Sequence, residues 1–265
     1  MTVTASDAGE SLVTYELQGD VAILGLNRPE KRNAISDRFV EAIHDAVMRA
    51  QREAKAGLIH GHGKHFCAGL DLGEHSEKPL IDAVLGSRRW HAVFGAIERG
   101  TIPWVSAITG AAVGGGFELA ASTQIRVADE TAFFALPEGQ RGIFVGGGGS
   151  VRISRLIGPA RMQDMMLTGR VLTATEMEAW GGVSYPVPAG KAMERGLEIA
   201  ARMAQNAPFT NYAVINALPR IADMSSEDGL FAESMVASLA TQTEDAKERL
   251  RAFLEKRADK VQAPK

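Results

Sequence analysis

Residues 102–120 read IPWVSAITGAAVGGGFELA. Within this stretch PWVSAI is an apolar run of strand length, Gly114, Gly115 and Gly116 interrupt it, and FELA opens a helix with Glu118 in its first turn. At such a junction the first N–H groups of the helix lack partners and carry the positive end of its dipole. They are therefore placed to face an anion or a developing oxyanion, and glycine removes the side chains that would block the approach.

Two other junctions repeat the plan. HFCAGLDL (65–72) follows the strand-like GLIHG (57–61), and LPEGQRGIFVGGGGSVR (136–152) follows the strand-like TAFFAL (131–136). Each taken singly is ordinary turn chemistry. None carries the GxGxxG of a dinucleotide-binding unit, the GK[ST] ending of a P-loop or the GxSxG of a serine-hydrolase elbow.

Working outward, VTYEL (13–17) and VAILGL (21–26) form a predicted hairpin around Gln18, Gly19 and Asp20. Ser36 is placed to cap a helix whose apolar face is Phe39, Val40, Ile43, Ala46, Val47 and Ala50. A second amphipathic helix is predicted over Leu80 to Glu98, and QIRVA (124–128) is a further strand. From Ser150 the chain turns mainly helical, with patterned helices near 190–205, 227–240 and 243–257. The expected class is α/β with a helical C-terminal region, and a composition shift divides it into 1–190 and 191–265.

The 265 residues are 45% hydrophobic, enough for a full core, and the net charge of -3 provides no overall positive field for nucleic acid or an anionic membrane. No apolar run approaches the ~20 residues of a membrane span. Cys67 is the single cysteine, so no internal disulfide forms, and MTVTASDAGESL lacks the basic start and apolar stretch of a leader. The expectation is a cytoplasmic protein with neither a nucleic-acid nor a membrane partner.

Together, VAILGLNRPEKRNAIS (21–36), GKHFCAGLDL (63–72), IPWVSAITGAAVGGGFELA, LPEGQRGI (136–143), LTGRVLTATEMEAWGGVSYPVP (167–188) and AFLEKR (252–257) resemble the crotonase, or enoyl-CoA hydratase/isomerase, superfamily in order and separation. The resemblance implies a spiral of repeated ββα units with a helical C-terminal region. It also implies assembly as a homotrimer or dimer of trimers, and an acyl-CoA thioester substrate whose coenzyme A is part of the substrate rather than a separate cofactor.

Carried over by position, the resemblance makes the Leu70 and Gly115 N–H groups an oxyanion hole and Glu118 and Glu138 a pair of catalytic carboxyl groups. Two such groups suit the addition of water to a 2-enoyl-CoA: one takes a proton from water attacking C3, the other supplies a proton at C2. Arg28, Lys31 and Arg32, clustered after a strand, fall where the family binds the nucleotide of coenzyme A, with Ala68 and Lys256 completing that site. Trp90, Phe94, Arg141 and Phe144 are the expected substrate pocket. Val145 stands where many members have proline, and Gly139, Gln140 and Arg141 replace a more apolar run, which leaves the acyl chain open.

His60, His62 and His65 do not make a metal site by spacing, since His65 lies beyond the turn and no local carboxylate completes the set. Cys67 has no matching base and is read as packing. The rival readings are double-bond isomerisation, which needs only the carboxyl group at 138, and a non-catalytic acyl-CoA or RNA-binding protein.

Overall fold

In a computed structural model of the protein, which describes residues 11–74 and 79–257, the chain opens on the expected hairpin of β1 (Val13–Gln18) and β2 (Val21–Leu26). The reading of the first ten residues as lacking a leader lies outside the described residues. Ser36 caps α1 (Asp37–Glu53), its hydroxyl accepting the Phe39 N–H at 3.2 Å. Phe39, Val40, Ile43, Val47 and Ala50 form the buried face, with Ala46 half-buried at its edge.

There follow β3 (Ala56–Gly61), α2 (Leu80–Glu98), β4 (Trp104–Ile108), β5 (Ala111–Val113), α3 (Gly115–Ala120), β6 (Ile125–Asp129), β7 (Phe133–Ala135) and α4 (Gly149–Ile157). β2, β3, β4 and β6 lie side by side and parallel in one sheet. Between each of them and the next helix the chain crosses a second, smaller layer. There Ile35 bridges Leu70, Cys67 bridges Ala112, and β5 pairs in parallel with β7. Each turn thus runs strand, extended segment, helix, and the next turn starts one strand over. This is the expected ββα spiral, and it brings the segments before α2, α3 and α4 together at one edge of the small layer.

After α5 (Pro159–Thr168), β8 (Leu172–Thr173) adds to β7, and α6 (Ala174–Ala179) begins at a reciprocal cap between Thr173 and Glu176. β9 (Tyr185–Val187) then extends the large sheet beside β6. These two strands, of two and three residues, are too short to show a period, so the pattern from Ser150 onward read simply as helical.

Alternation along the strands gives the large sheet two apolar faces. Leu24, Leu26, Ile59 and Ile108 join the core that also takes in α1 and α2. Val21, Ile23, Leu58, Val105 and Val127 meet α7 (Ala192–Ala204) through Ala192, Ala200 and Ala204. Gly196 lies so close to the sheet that a Cβ there would come within 2.8 Å of Leu58. Because α7 covers the sheet in this way, the compact units are Met1–Ala204 and Gln205–Lys265, and the boundary expected near 190 moves to the far end of α7. The second unit holds α8 (Pro208–Ile221), α9 (Ser226–Thr241) and α10 (Glu244–Leu254), the last two capped by Ser225 and Thr243.

Candidate active site

The three glycine junctions converge. Ile35 N–H donates to the Gly69 carbonyl and Asp71 N–H to the Ile35 carbonyl, at 2.7 and 2.9 Å. Backbone groups alternate in direction along an extended segment, so the Leu70 N–H points to the opposite side. On that side lies Gly115, the first residue of α3: a Cβ built on Gly115 would sit 3.6 Å from Leu70 N. Neither N–H finds an acceptor among the described residues, so two neighbouring donors face the same space.

Glycine is required on both sides of this pair. Gly69 has φ +92 and a Cβ there would lie 2.6 Å from the Val113 carbonyl oxygen. Gly114 has φ +52 with ψ -121, and a Cβ there would press on Glu138 Oε1 at 2.7 Å.

Glu118 is carried inward by the first turn of α3 and is buried. Its Oε1 accepts N–H bonds from Gly147 at 2.8 Å and Gly149 at 2.7 Å. Burial raises its pKa, opposed by these amide donors and by the charge of Arg152. Glu138 follows β7, at the start of a 3-10 turn over Gly139–Arg141, and is also buried. Its Oε2 has no hydrogen-bond partner. Burial, with a smaller push from the charge of Glu118, raises Glu138 to about 7, where a carboxyl group can both hold and release a proton near neutrality.

This yields a stability prediction. A carboxyl group whose folded pKa lies above its unfolded value is easily accommodated below about 4.5 and becomes a liability as pH rises through about 7. Glu138→Gln is therefore expected to match the parent in urea denaturation near pH 4.5 and to exceed it by roughly 3 kcal/mol at pH 8. An unchanged difference between these pH values would contradict the raised pKa.

Leu70, Gly115, Glu118 and Glu138 line one pocket of about 250 Å³. Trp90, Arg141 and Phe144 line it too, with Ala83, Gly86, Ser87, Ile143 and Val145. Phe94 does not. It is fully buried behind Trp90, ring edge to face at 5.5 Å, because its position on α2 turns it toward the core. The expectation that it forms the substrate pocket is corrected accordingly.

The basic loop divides in the same way. Arg28 donates to Asp71 Oδ2 at 3.1 Å and to the Ala34 carbonyl at 2.9 Å, a half-buried clamp that fits a structural task rather than a phosphate contact. Lys31 and Arg32 are exposed. Ala68 lines the pocket and its N–H donates to the Arg32 carbonyl at 2.9 Å, tying the basic loop to the Leu70 segment. Lys256 lies in the second unit, exposed at φ +58 just past α10.

Three residues that sequence reasoning passed over hold these loops. Buried Asn33 donates to the carbonyls of His62, His65 and Phe66 and accepts the Arg28 N–H. Gly147 and Gly149 approach Glu118 so closely that a Cβ on Gly149 would fall 2.8 Å from its Cγ. The run of four glycines at 146–149 was a signal for that approach.

The histidines are engaged elsewhere: His62 with the Thr14 hydroxyl and His65 Nδ1 with the Ala111 N–H. No cluster of three metal-ligating side chains occurs among the described residues. Cys67 is buried and donates to the Asn33 carbonyl; burial pushes its pKa up to about 12, far from a nucleophile's.

A ββα spiral thus brings two backbone N–H groups without acceptors among the described residues and two buried carboxyl groups to one pocket, an arrangement suited to acid–base chemistry on a polarised carbonyl. The profile of the enoyl-CoA hydratase/isomerase family matches residues 16–263. The enoyl-CoA hydratase EchA19 of Mycobacterium tuberculosis is 31% identical over 98% of each chain. A Rhodopseudomonas palustris protein of known crystal structure is 47% identical, with a TM-score of 0.91 over 96% of this chain and 98% of that one. The enoyl-CoA hydratase structure from Bacillus anthracis is 29% identical, with a TM-score of 0.87 over 93% and 97%. The chain belongs to the enoyl-CoA hydratase/isomerase family.

Proposed function

We propose that the protein adds water across the 2,3 double bond of a 2-enoyl-CoA thioester, with coenzyme A bound only as part of the substrate. The observation that carries this reading is the pairing, in one pocket, of two buried carboxyl groups with two unengaged N–H donors. Glu118, held by Gly147 and Gly149, takes a proton from water as its oxygen attacks C3. The π electrons move onto the thioester oxygen, which the Leu70 and Gly115 N–H groups receive as an enolate; each donor contributes roughly 3 kcal/mol to that developing charge. The enolate then collapses, taking a proton at C2 from Glu138. Proton return from Glu118 to Glu138, directly or through water, resets the pair.

The reading is tested by offering a panel of enoyl-CoA thioesters and following loss of the conjugated-enoyl absorbance. Turnover of at least one short-chain member is expected, and no turnover across the panel would overturn it.

Coenzyme A phosphates are assigned to the exposed Lys31 and Arg32 beside Ala68. Lys31→Ala with Arg32→Ala is expected to weaken acyl-CoA binding about tenfold and to flatten its salt dependence, measured by calorimetry at two ionic strengths. Arg28→Ala is expected to act on stability instead, since it takes the closest cation from Asp71, whose side chain is only 9% exposed, and leaves it the longer contact with Lys31 at 4.0 Å. Unchanged affinity and salt dependence in the double variant would remove the phosphates from this loop.

The same reading includes assembly into a homotrimer or dimer of trimers. It is supported by the apolar side chains that α9 leaves exposed, Leu230, Phe231, Met235 and Leu239. No described helix is long and apolar enough to cross a membrane.

A further inference from the structure

We propose that Arg152 is a positioning residue for Glu118, gripping the 146–149 loop from outside the pocket so that its amide N–H groups stay aimed at the carboxylate. The inference rests on the reading of Glu118 as the group that activates water. Its basis is a continuous chain of contacts. Glu118 Oε1 accepts from Gly147 N and Gly149 N, and the carbonyl of the same Gly147 accepts from Arg152 Nη1 at 2.8 Å. Arg152 Nε in turn donates to Glu98 Oε2 at 2.9 Å, at the end of α2. Gly147 is thus pulled from both sides, its N–H by the carboxylate and its carbonyl by the guanidinium. The Ser87 hydroxyl, also on α2, holds the neighbouring Gly146 carbonyl at 2.6 Å.

A loop of four glycines has no side chains to fix its own conformation, so its order has to be imposed by such contacts. The Arg152 side chain is only 7% exposed, which keeps water from competing for it. A guanidinium suits the task because its planar fork serves a carbonyl and a carboxylate at once, which an ammonium cannot do in the same geometry.

The arrangement is electrostatic as well as steric. Glu118 is faced by Glu138, which shares the pocket, and by Arg152 on α4. On α2, His91 and Glu98 lie next to Arg152, and Arg99 also contacts Glu98 at 3.3 Å; Arg141 accompanies Glu138. Among these, the Arg152 charge favours the ionised form of Glu118 that a general base requires.

The test compares Arg152→Gln, Arg152→Lys and Glu98→Gln in kcat, KM and pH profile. Arg152→Gln is expected to lower kcat about 10- to 100-fold with KM nearly unchanged, the scale of a misplaced catalytic group, and to move the acidic limb of kcat to higher pH. Arg152→Lys should recover the position of that limb but only part of kcat. Glu98→Gln leaves the cation and its grip on Gly147, so its limb should stay or move to lower pH. If Arg152→Gln does not fold, the other two variants still report: the parental limb with reduced kcat in Arg152→Lys and a limb at or below the parental pH in Glu98→Gln support the role, whereas movement of either limb to higher pH overturns it.

A second readout is independent of turnover: 13C NMR titration of the Glu118 carboxyl group in the unliganded protein, assigned by its loss in Glu118→Gln. Its midpoint should rise in Arg152→Gln. If the parent turns over no enoyl-CoA yet the midpoint rises, the hydratase reading fails and the coupling stands. If the parent turns over and both midpoint and pH profile are unmoved, the inference about Arg152 is overturned.

Discussion

Glu118→Gln is expected to lower enoyl-CoA hydration about 100-fold or more while the fold survives, the scale of a positioned acid or base. The fold should survive because a glutamine Oε1 can accept the same N–H groups of Gly147 and Gly149 that hold the carboxylate. What the amide lacks is the capacity to take a proton from water. Glu138 and the two N–H donors are untouched, so deuterium uptake at C2 of a saturated acyl-CoA should remain measurable. Glu138→Gln should damage both reactions, since it removes the group that trades protons with C2. Hydration at the parental rate in Glu118→Gln would remove water activation from Glu118 and favour the isomerase alternative, in which the carboxyl group at 138 acts by itself.

Gly115→Pro should be as severe, about 100-fold in kcat or more, because it deletes one of the two N–H groups proposed to receive the enolate. Proline is tolerated at the first position of a helix, which is where Gly115 lies, so α3 can persist. The added atoms do crowd Trp90, since a Cβ at 115 would come 2.7 Å from its Cζ3. Gly115→Ala separates the two effects: it brings the same crowding but keeps the N–H. A much larger loss in the proline variant than in the alanine variant is the expected result of solution kinetics on folded protein. Equal losses would assign the effect to displacement of Trp90 and withdraw Gly115 from the oxyanion pair.

These expectations differ in how visible their grounds were in the chain itself. Gly115 and Glu118 stand in an uninterrupted motif, and the polarity of a helix start already says what kind of charge belongs there. Glu138 carries no local mark that separates it from a solvated glutamate; only its place in the family pattern singled it out, and only the fold buries it. Phe94 illustrates the opposite error. Its spacing from Trp90 on one helix suggested a shared pocket, yet a turn of α2 puts Trp90 at the pocket wall and Phe94 behind it. Arg28, grouped by charge with Lys31 and Arg32, was set apart from them by burial: it hydrogen-bonds Asp71, 43 residues away in sequence, and the Ala34 carbonyl, whereas Lys31 reaches the same Asp71 oxygen at 4.0 Å from an exposed position.

The sequence by itself determined the class of fold, the hairpin, the capped first helix and the three glycine junctions. Those features rest on short-range physics: periodicity within a helix or strand, the φ that only glycine takes easily, and the unpaired N–H groups of a helix start. Tertiary structure alone decided what depends on crossing between turns of the spiral. It set the Leu70 and Gly115 amides side by side and buried both glutamates. It also closed the glycine loop on Glu118 with Arg152 and Glu98 behind it, and laid α7 across the large sheet so that the first unit ends at Ala204. Contacts between residues tens of positions apart have no period to betray them, because each partner's pattern is satisfied by its own element and the pairing is chosen only when the elements pack.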